Sequence, residues 1–246
     1  AGIPVVLLTD DAVRRFACVY QYSAHILDIG TEVKPVPLRA KERLESKTAV
    51  DALINRVRSS GRTILTEAES KELLRLYNIP VSETVPCTTV DAAVASADRM
   101  GYPVVIKLLS ETITHKSDVG GVILNVNNAA AVRAAFEQVR ANLEKVHPQD
   151  WKKHFGGVTV QPMLDTNSGY EVLLGGNTDS QFGPVIVFGT GGKLVEVYRD
   201  RALGIPPLTR PLAKSLMAKT KIYRALQGVR GQGPADMDKL EQLVCD

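Results

Sequence analysis

Hydrophobic positions recur at helical spacing in the first part of the chain. A period of about 3.6 predicts a helix over 11–29, after a short buried strand at 5–8. A second apolar stripe within 50–57 predicts another helix. We interpret 1–29 as the end of an upstream α/β domain and the charged, proline-containing segment 30–61 as a linker.

Capping signals predict three helices in the middle of the chain. Thr66 has a glutamate three residues later, which is the spacing of a capping box and starts a helix over 67–77. Thr89 starts a helix over 90–100, and a further helix covers 129–145. The positions of the first of these helices that we expect to be buried are Ala68, Leu73, Leu76 and Tyr77.

Short apolar runs predict strands, and their distribution predicts the fold class. Runs at 102–108 and 122–126 lie on either side of a polar loop at 115–121, and another run follows at 157–161. The strands predicted in the second half are 171–176, 185–189 and 194–198. We therefore expect two α+β lobes with a cleft between them, followed by a helical tail that begins near Pro206.

Composition excludes several classes of protein. The 246 residues carry a net charge of +3 and no basic block with interleaved aromatics, which argues against nucleic-acid binding. No apolar run reaches about 18 residues, so we expect no membrane span. The few scattered cysteines favour a reducing compartment over a disulfide framework or a zinc site: Cys18, Cys87 and Cys245.

The loop at 115–121, His-Lys-Ser-Asp-Val-Gly-Gly, has the composition of a phosphate cradle. Small residues let backbone N–H groups approach an anion, and lysines supply positive charge. Lys107, in the apolar strand before the loop, either meets an anion or extends into solvent from an edge strand. His115 either accepts a phosphoryl group or acts as an acid or base, the alternative being a surface histidine without a role. The other histidines lack convergent partners, and we expect them to be structural or solvated: His25, His147 and His154.

Three further groups could line a nucleotide site. The glycine turn at 189–192 either approaches phosphates or forms a tight hairpin. Glu171 and Glu196, both expected in strands, either hold Mg²⁺ or ribose hydroxyls or face solvent. Gln161 and Met163 flank a proline that removes a ladder donor, so backbone groups there either face a planar base or form a connector between lobes.

Taken together, these residues resemble the ATP-grasp domain of the NDP-forming acyl-CoA synthetases, the family of ADP-forming acetate–CoA ligases related to succinyl-CoA synthetase. The resemblance runs from about Thr63 to the C-terminus, and 1–29 resemble the end of the family's flavodoxin-like CoA-ligase domain. The motifs that carry it are 101–107, 115–122, 160–163, 179–184, 188–192 followed by 195–197, and 228–231.

The resemblance implies an ATP-grasp N-terminal lobe at 62–162 and a C-terminal lobe at 163–246, with ATP or ADP and Mg²⁺ as cofactors. It implies that His115 accepts a phosphoryl group and relays it between the ATP site and the acyl-CoA site. The implied nucleotide contacts are Lys107, Lys116, Ser117, Gly120, Gly121, Gln161, Met163, Glu171, Gly191 and Gly192, with Glu196 on the metal side. The full-length protein is expected to be cytoplasmic and oligomeric, to use CoA as a substrate, and to have an upstream CoA-ligase domain or subunit as partner.

Two departures from the family pattern leave a second hypothesis. The family closes its ATP site with an Asp-x-Asn-Pro strand that binds Mg²⁺, and the chain ends before such a motif. We therefore expect a C-terminally truncated lobe, the main Mg²⁺ ligands beyond residue 246, and no turnover by the fragment alone. Gly204 stands where the synthetases commonly have an arginine before Pro-Leu-Thr. The sequences of 199–203 and 221–226 are more similar to those of family members that are fused to a GNAT acetyltransferase domain. A regulatory, ligand-sensing domain of a protein lysine acetyltransferase is the alternative.

Overall fold

The computed structural model describes residues 9–30, 40–166, 168–192 and 195–245. Its helices are α1 (Thr9–Gly30), α2 (Ala40–Ser59), α3 (Glu67–Leu76), α4 (Val90–Met100), α5 (Ala129–Val146), α6 (Trp151–His154), α7 (Val195–Tyr198), α8 (Arg210–Ala218), α9 (Ile222–Leu226) and α10 (Met237–Cys245). Its strands are β1 (Val85–Cys87), β2 (Val104–Leu108), β3 (Val122–Val126), β4 (Val158–Pro162), β5 (Val172–Asp179), β6 (Gly183–Thr190) and β7 (Arg201–Gly204). The strand predicted at 5–8 lies outside the described residues.

The chain divides into two units, which are described separately. One comprises Leu38–Asp165, and the other combines Ala1–Pro37 with Thr166–Asp246. The predicted linker therefore contains a packed helix, because α2 buries Val50, Leu53 and Val57 within the first unit. None of the described helices is both long and apolar enough to cross a lipid bilayer.

The first unit is built on a four-stranded antiparallel sheet in the order β1-β4-β2-β3. One face of β2 and β4 carries apolar side chains that α4 and α5 cover, and this layer forms the core of the unit. The side chains at the heart of this core are Val104, Ile106, Leu108, Val158 and Val160. Because side chains alternate along a strand, the intervening positions of β2 and β4 face the opposite side of the sheet. Lys107 and Gln161 are among them.

Capping residues start the helices of this unit where the sequence predicts them. The Thr66 hydroxyl accepts from the Glu69 amide while the Glu69 carboxylate accepts from the Thr66 amide, which confirms the capping box at α3. The Thr89 hydroxyl accepts from the Ala92 amide and starts α4. The burial expected for α3 is wrong, since Tyr77 is exposed and no residue of the helix is fully buried. Its polar side chains reach the sheet instead.

The second unit holds a three-stranded antiparallel sheet in the order β5-β6-β7. Phe188 of β6 is fully buried against Leu216 and Met217 of α8 and Leu226 of α9. The Thr209 hydroxyl accepts from the Leu212 amide and starts α8, so the predicted helical tail is confirmed. In α1, which belongs to this unit, the exposed large apolar side chains are Val13, Phe16, Val19, Tyr20, Tyr22, Ile26 and Leu27.

The strand predicted at 194–198 is wrong. Val195–Tyr198 forms a helical turn closed by the Arg199 amide donating to the Val195 carbonyl at 3.1 Å. The strand that follows β6 in the sheet and pairs with its free edge is β7, in which Ala202 lies opposite Phe188. Within the described chain, 195–198 have no partner strand, so their apolar-polar alternation does not form a ladder. The glycine turn at 189–192 is consequently not a tight hairpin between two strands.

Candidate functional site

Three lysines converge on one glutamate on the face of the first unit's sheet that lies opposite the core. Lys107 Nζ lies 3.0 Å from Glu67 Oε1, and Lys116 Nζ lies 3.1 Å from Glu67 Oε2. Lys71 Nζ lies 3.2 Å from Glu67 Oε1. We call Glu67, Lys71, Lys107, Lys116 and Gln161 the lysine cluster. It brings together residues of α3, β2, β4 and the 115–121 loop.

Gln161 orients this cluster from a buried position on β4. Its amide oxygen accepts from Lys107 Nζ at 3.1 Å and from Lys71 Nζ at 3.2 Å, while its Nε2 donates to Glu67 Oε1 at 2.7 Å. Lys71 also donates to the hydroxyls of Ser82 and Thr84 at 2.8 and 2.7 Å. Every polar group of Gln161 is thereby engaged, which fixes the directions of two ammonium groups.

The electrostatics of the cluster favour an anion. Burial alone would raise the pKa of Glu67, but hydrogen bonds from Gln161 and Lys107 and the charges of Lys107 and Lys116 outweigh it and lower the pKa to about 2. Burial lowers the pKa of Lys71 against the opposing attraction of Glu67. Three lysines thus face one carboxylate. The surplus positive charge suits the phosphates of a nucleotide, so the donor set fits ATP or ADP.

The loop at 115–121 contains a short 3₁₀ turn, Lys116–Val119, rather than an open cradle. The amides of Asp118, Gly120 and Gly121 donate to carbonyls within the loop, at 3.2, 3.1 and 2.8 Å. These N–H groups are therefore engaged within the loop, and their contact with a phosphate stays a prediction. His115 and Ser117 are exposed at the start of the turn, and within the described chain the His115 imidazole makes no hydrogen bond.

Packing accounts for the two glycines of this loop. A Cβ on Gly121 would lie 2.9 Å from both Leu108 Cβ and the Lys116 carbonyl oxygen. Gly120 adopts φ +62°, where a side chain is strained, and its Cβ would lie 2.7 Å from Asn142 Nδ2. The glycines let the loop fold closely onto β2 and α5, and this places Lys116 in the lysine cluster.

The segment around Gln161 and Met163, which was predicted to face a planar base, makes hydrogen bonds within the protein. Gln161 belongs to the lysine cluster, and the Met163 amide donates to the Pro103 carbonyl at 3.0 Å. The Met163 N–H is therefore not free for a ligand.

In the second unit, the structure brings Glu171 together with the glycine turn. The Gly191 amide donates to the Glu171 carbonyl at 2.8 Å, and a Cβ on Gly192 would collide with the Glu171 carboxylate. Glu171 directly precedes β5 and is exposed. Glu196 is exposed on α7, not on a strand as expected.

Sequence reasoning missed Glu67 and Lys71. Glu67 is the first residue of a helix, where acidic residues are common because of the helix dipole. Nothing in the neighbouring sequence distinguishes it from an ordinary residue at that position. Its partners Lys107 and Gln161 are 40 and 94 residues away along the chain. Lys71 lies one helical turn after Glu67, and that spacing alone indicates an ordinary surface pair.

Comparison with known proteins identifies the family. Residues 56–246 match the family described as ATP-grasp domain. The chain is 36% identical over 192 residues to subunit β of acetate–CoA ligase (ADP-forming) II from Pyrococcus furiosus, covering 78% of this chain and 79% of that relative. It is 37% identical over 244 residues to acetate–CoA ligase (ADP-forming) I from Archaeoglobus fulgidus, covering 99% of this chain but 34% of that relative. The chain thus spans about a third of the longer relative.

A solved structure is similar to this chain in both fold and amino-acid sequence. It is acetyl-coenzyme A synthetase 1 of Ca. Korarchaeum cryptofilum, with a TM-score of 0.67 and 32% identity over 80% of this chain and 82% of that chain. It is described as a complex with coenzyme A and Mg-AMPPCP whose phosphohistidine segment points towards the nucleotide-binding site. The predicted α+β ATP-grasp fold is confirmed by these matches, and the chain belongs to the ATP-grasp family of the ADP-forming acyl-CoA synthetases.

Proposed function

We propose that this chain moves a phosphoryl group between ATP and an acyl phosphate, with His115 as the carrier. The observation that carries the proposal is the lysine cluster, in which Lys107 and Lys116 bind one carboxylate, that of Glu67. Lys116 directly follows His115 in the chain. An anion that replaces the Glu67 carboxylate is therefore held next to the loop that presents the imidazole.

The chemistry follows from a nitrogen nucleophile beside bound phosphates. A neutral ring nitrogen of His115 attacks the γ-phosphorus of ATP; a P–N bond forms as the bond to the β,γ-bridging oxygen breaks, and ADP leaves. In the next stage the P–N bond breaks as the phosphoryl group passes to a carboxylate oxygen, and the thiol of CoA then displaces phosphate from the acyl phosphate. The overall reaction is acid + CoA + ATP ⇌ acyl-CoA + ADP + phosphate. Lys107 and Lys116 stabilise the charge on the transferred group.

The metal and the partner complete the proposal. Bound Mg²⁺ would neutralise charge on the β- and γ-phosphate oxygens. Glu196 is the carboxylate of this chain that we assign to the metal side, with the main ligands expected beyond residue 246. Glu171, which lies against the glycine turn, is assigned to the nucleotide. A CoA-ligase domain or subunit is the proposed partner, because one relative is named as a subunit β and another extends well beyond the matched region.

Phosphohistidine chemistry tests the role of His115. The full-length protein is incubated with Mg²⁺ and ATP labelled at the γ-phosphate, and we expect protein-bound label that is acid-labile and base-stable. The label disappears in His115→Asn and persists in His147→Asn, a partly exposed histidine of the same unit. Label that survives His115→Asn refutes the relay. Absence of label from the wild-type protein favours the regulatory, ligand-sensing alternative.

Nucleotide affinity tests the lysine cluster separately. Lys107→Gln and Lys116→Gln each remove a charge-assisted hydrogen bond worth about 1.5–3 kcal/mol, so ADP binding weakens by about 10- to 100-fold. Lys239→Gln, a highly exposed lysine of the second unit, serves as the control and leaves the affinity unchanged. Equal affinities in all three variants, measured by calorimetry, would exclude the cluster as a phosphate site.

A further inference from the structure

Two histidines, which we expected to be structural or solvated, converge with an aspartate at the C-terminal end of α5. His147 caps α5, Asp150 precedes α6, and His154 ends α6. His154 Nε2 lies 3.1 Å from Asp150 Oδ2, and His147 Nδ1 lies 3.7 Å from Asp150 Oδ1. One potential ligand atom from each residue lies within 4.8 Å of the others. The expectation that no partners converge on these histidines is therefore wrong. We call these residues the His–Asp–His cluster.

The backbone around the cluster is held in place. The His147 amide donates to the Leu143 carbonyl at 2.8 Å, and the Trp151 amide donates to the His147 carbonyl at 2.9 Å. Phe155, which follows α6, packs edge-on against Phe136 and Trp151 with ring centroids 5.7 and 6.0 Å apart. The three ligating groups thus project from a packed helix end and not from a free loop, so little order has to be gained on binding an ion.

His154 has the hydrogen bond that a metal-ligating histidine needs on its second nitrogen. Its Nδ1 lies 2.6 Å from Thr112 Oγ1, which leaves Nε2 to face Asp150. A ligating imidazole generally donates its other ring N–H to an acceptor, which fixes the tautomer and the ring orientation. Thr112 Oγ1 in turn lies 3.2 Å from the buried Ser110 Oγ. The ring of His154 is therefore oriented before any ion binds.

Ligand type and spacing indicate which ion fits. Imidazole nitrogens with one carboxylate oxygen suit Zn²⁺ and neighbouring first-row divalent ions, whereas Mg²⁺ and Ca²⁺ prefer oxygen ligands alone. Tetrahedral ligands at about 2.1 Å from zinc are roughly 3.4 Å apart. The His154 and His147 nitrogens lie 3.1 and 3.7 Å from the two Asp150 oxygens, and the whole set lies within 4.8 Å. The side chains of His147, Asp150 and His154 are 35%, 45% and 18% exposed, so an ion can enter and keep a water ligand.

We propose that His147, Asp150 and His154 form a binding site for one divalent transition-metal ion, with Zn²⁺ as the best match. The site is linked to the loop of His115 through Thr112 and Ser110, because Ser110 Oγ accepts from the amides of Thr112 and Ile113 at 3.3 and 3.2 Å. A bound ion fixes the Nδ1–H tautomer of His154, which holds Thr112 and stiffens the segment that leads into 115–121. This site does not depend on the proposed relay chemistry.

Zinc titration of the metal-free full chain tests the site. The chain carries Cys18→Ser to remove an exposed thiol, and binding is followed by calorimetry and by the visible spectrum with Co²⁺. We expect one saturable equivalent, lost in His147→Ala and in His154→Ala but retained in His115→Ala. Thr112→Val weakens the affinity by about 10- to 100-fold, whereas Thr112→Ser keeps the hydroxyl and the affinity. Thr112 is no ligand and is exposed, so its pair of variants remains informative if a histidine variant folds poorly.

The contrary results are equally defined. The absence of saturable binding, or the same stoichiometry in the variant lacking both His147 and His154, overturns the site. Equal affinities in Thr112→Val and Thr112→Ser overturn the hydrogen bond to His154 as its support. Hydrogen exchange tests the link to the loop, since Zn²⁺ slows exchange across 110–121 in the wild type and not in Thr112→Val. Exchange that Zn²⁺ does not alter in either protein refutes the link.

Discussion

Replacing Glu67 by glutamine tests the charge balance of the lysine cluster. The substitution keeps the shape of the side chain and removes the carboxylate that the three lysines share. Lys71, Lys107 and Lys116 then repel one another without compensation. We expect the unit at 38–165 to become less stable at neutral pH, and the loss to depend on acidity in a way that identifies Glu67 as its source.

The magnitude follows from the pKa of Glu67. Its pKa is about 2 in the folded chain against an ordinary value of 4.5, which corresponds to roughly 3 kcal/mol of stability at pH 7. A lowered pKa contributes stability that is present above 4.5 and is lost as pH falls towards 2. The difference between wild type and Glu67→Gln is therefore about 3 kcal/mol at pH 7 and about 1 kcal/mol at pH 3. It approaches zero below pH 2.

Urea unfolding followed by tryptophan fluorescence measures this difference. Trp151 is the single tryptophan of the chain and lies in the same unit as the cluster. Glu72→Gln is the matched control, because Glu72 is on the same helix and pairs with exposed Arg56 at 2.9 Å. That surface pair contributes at most about 1 kcal/mol.

Two results would refute the reasoning. One is a loss in Glu67→Gln no larger than that in Glu72→Gln at pH 7. The other is a loss of about 3 kcal/mol that persists unchanged at pH 3, since it would then arise from packing and not from the ionised carboxylate.

Two further substitutions test the second unit. Gly191→Ala brings a Cβ to 2.8 Å from the Val172 backbone carbonyl, whereas Gly175→Ala adds a Cβ with no atom within 4 Å. Neither glycine has a positive φ, so we expect a larger fall in calorimetric Tm for Gly191→Ala; equal falls would exclude the contact as its cause. The Asp200 carboxylate accepts from the Thr190 hydroxyl at 2.6 Å and from two backbone amides at the N-terminus of α9. Because Asp200→Asn disrupts these bonds, we expect the free energy of unfolding to fall by about 2–3 kcal/mol. Faster hydrogen exchange at those two amides checks it, and wild-type exchange rates would contradict it.

Local signals in the sequence were sufficient where a structure depends on neighbouring residues. The capping box at Thr66 and the cap at Thr89 could be identified because donor and acceptor lie three residues apart. Lys107 stood out because a lysine in an apolar strand needs an anion, and the structure supplies one in Glu67. These features are encoded within short stretches of the chain.

The remaining features depend on pairings across the fold. Glu67 meets Gln161 only because the fold brings the start of α3 within hydrogen-bond distance of β4, and no pattern in either segment indicates that contact. The apolar alternation at 194–198 indicated a strand, but a strand requires a partner, and β6 pairs with β7 instead. Asp150 lies three residues after His147 and four before His154, a spacing also typical of ordinary surface pairs, so it does not by itself indicate a metal site.

The alternation along β2 has an evolutionary consequence. Val104, Ile106 and Leu108 determine how the sheet packs, while Lys107 between them lies on the opposite face in the lysine cluster that we propose as a phosphate site. Natural selection can therefore alter the charged side chains and change which ligand is preferred while the hydrophobic set stays constant. Such a strand lets a protein lineage explore new substrates without first losing the ability to fold.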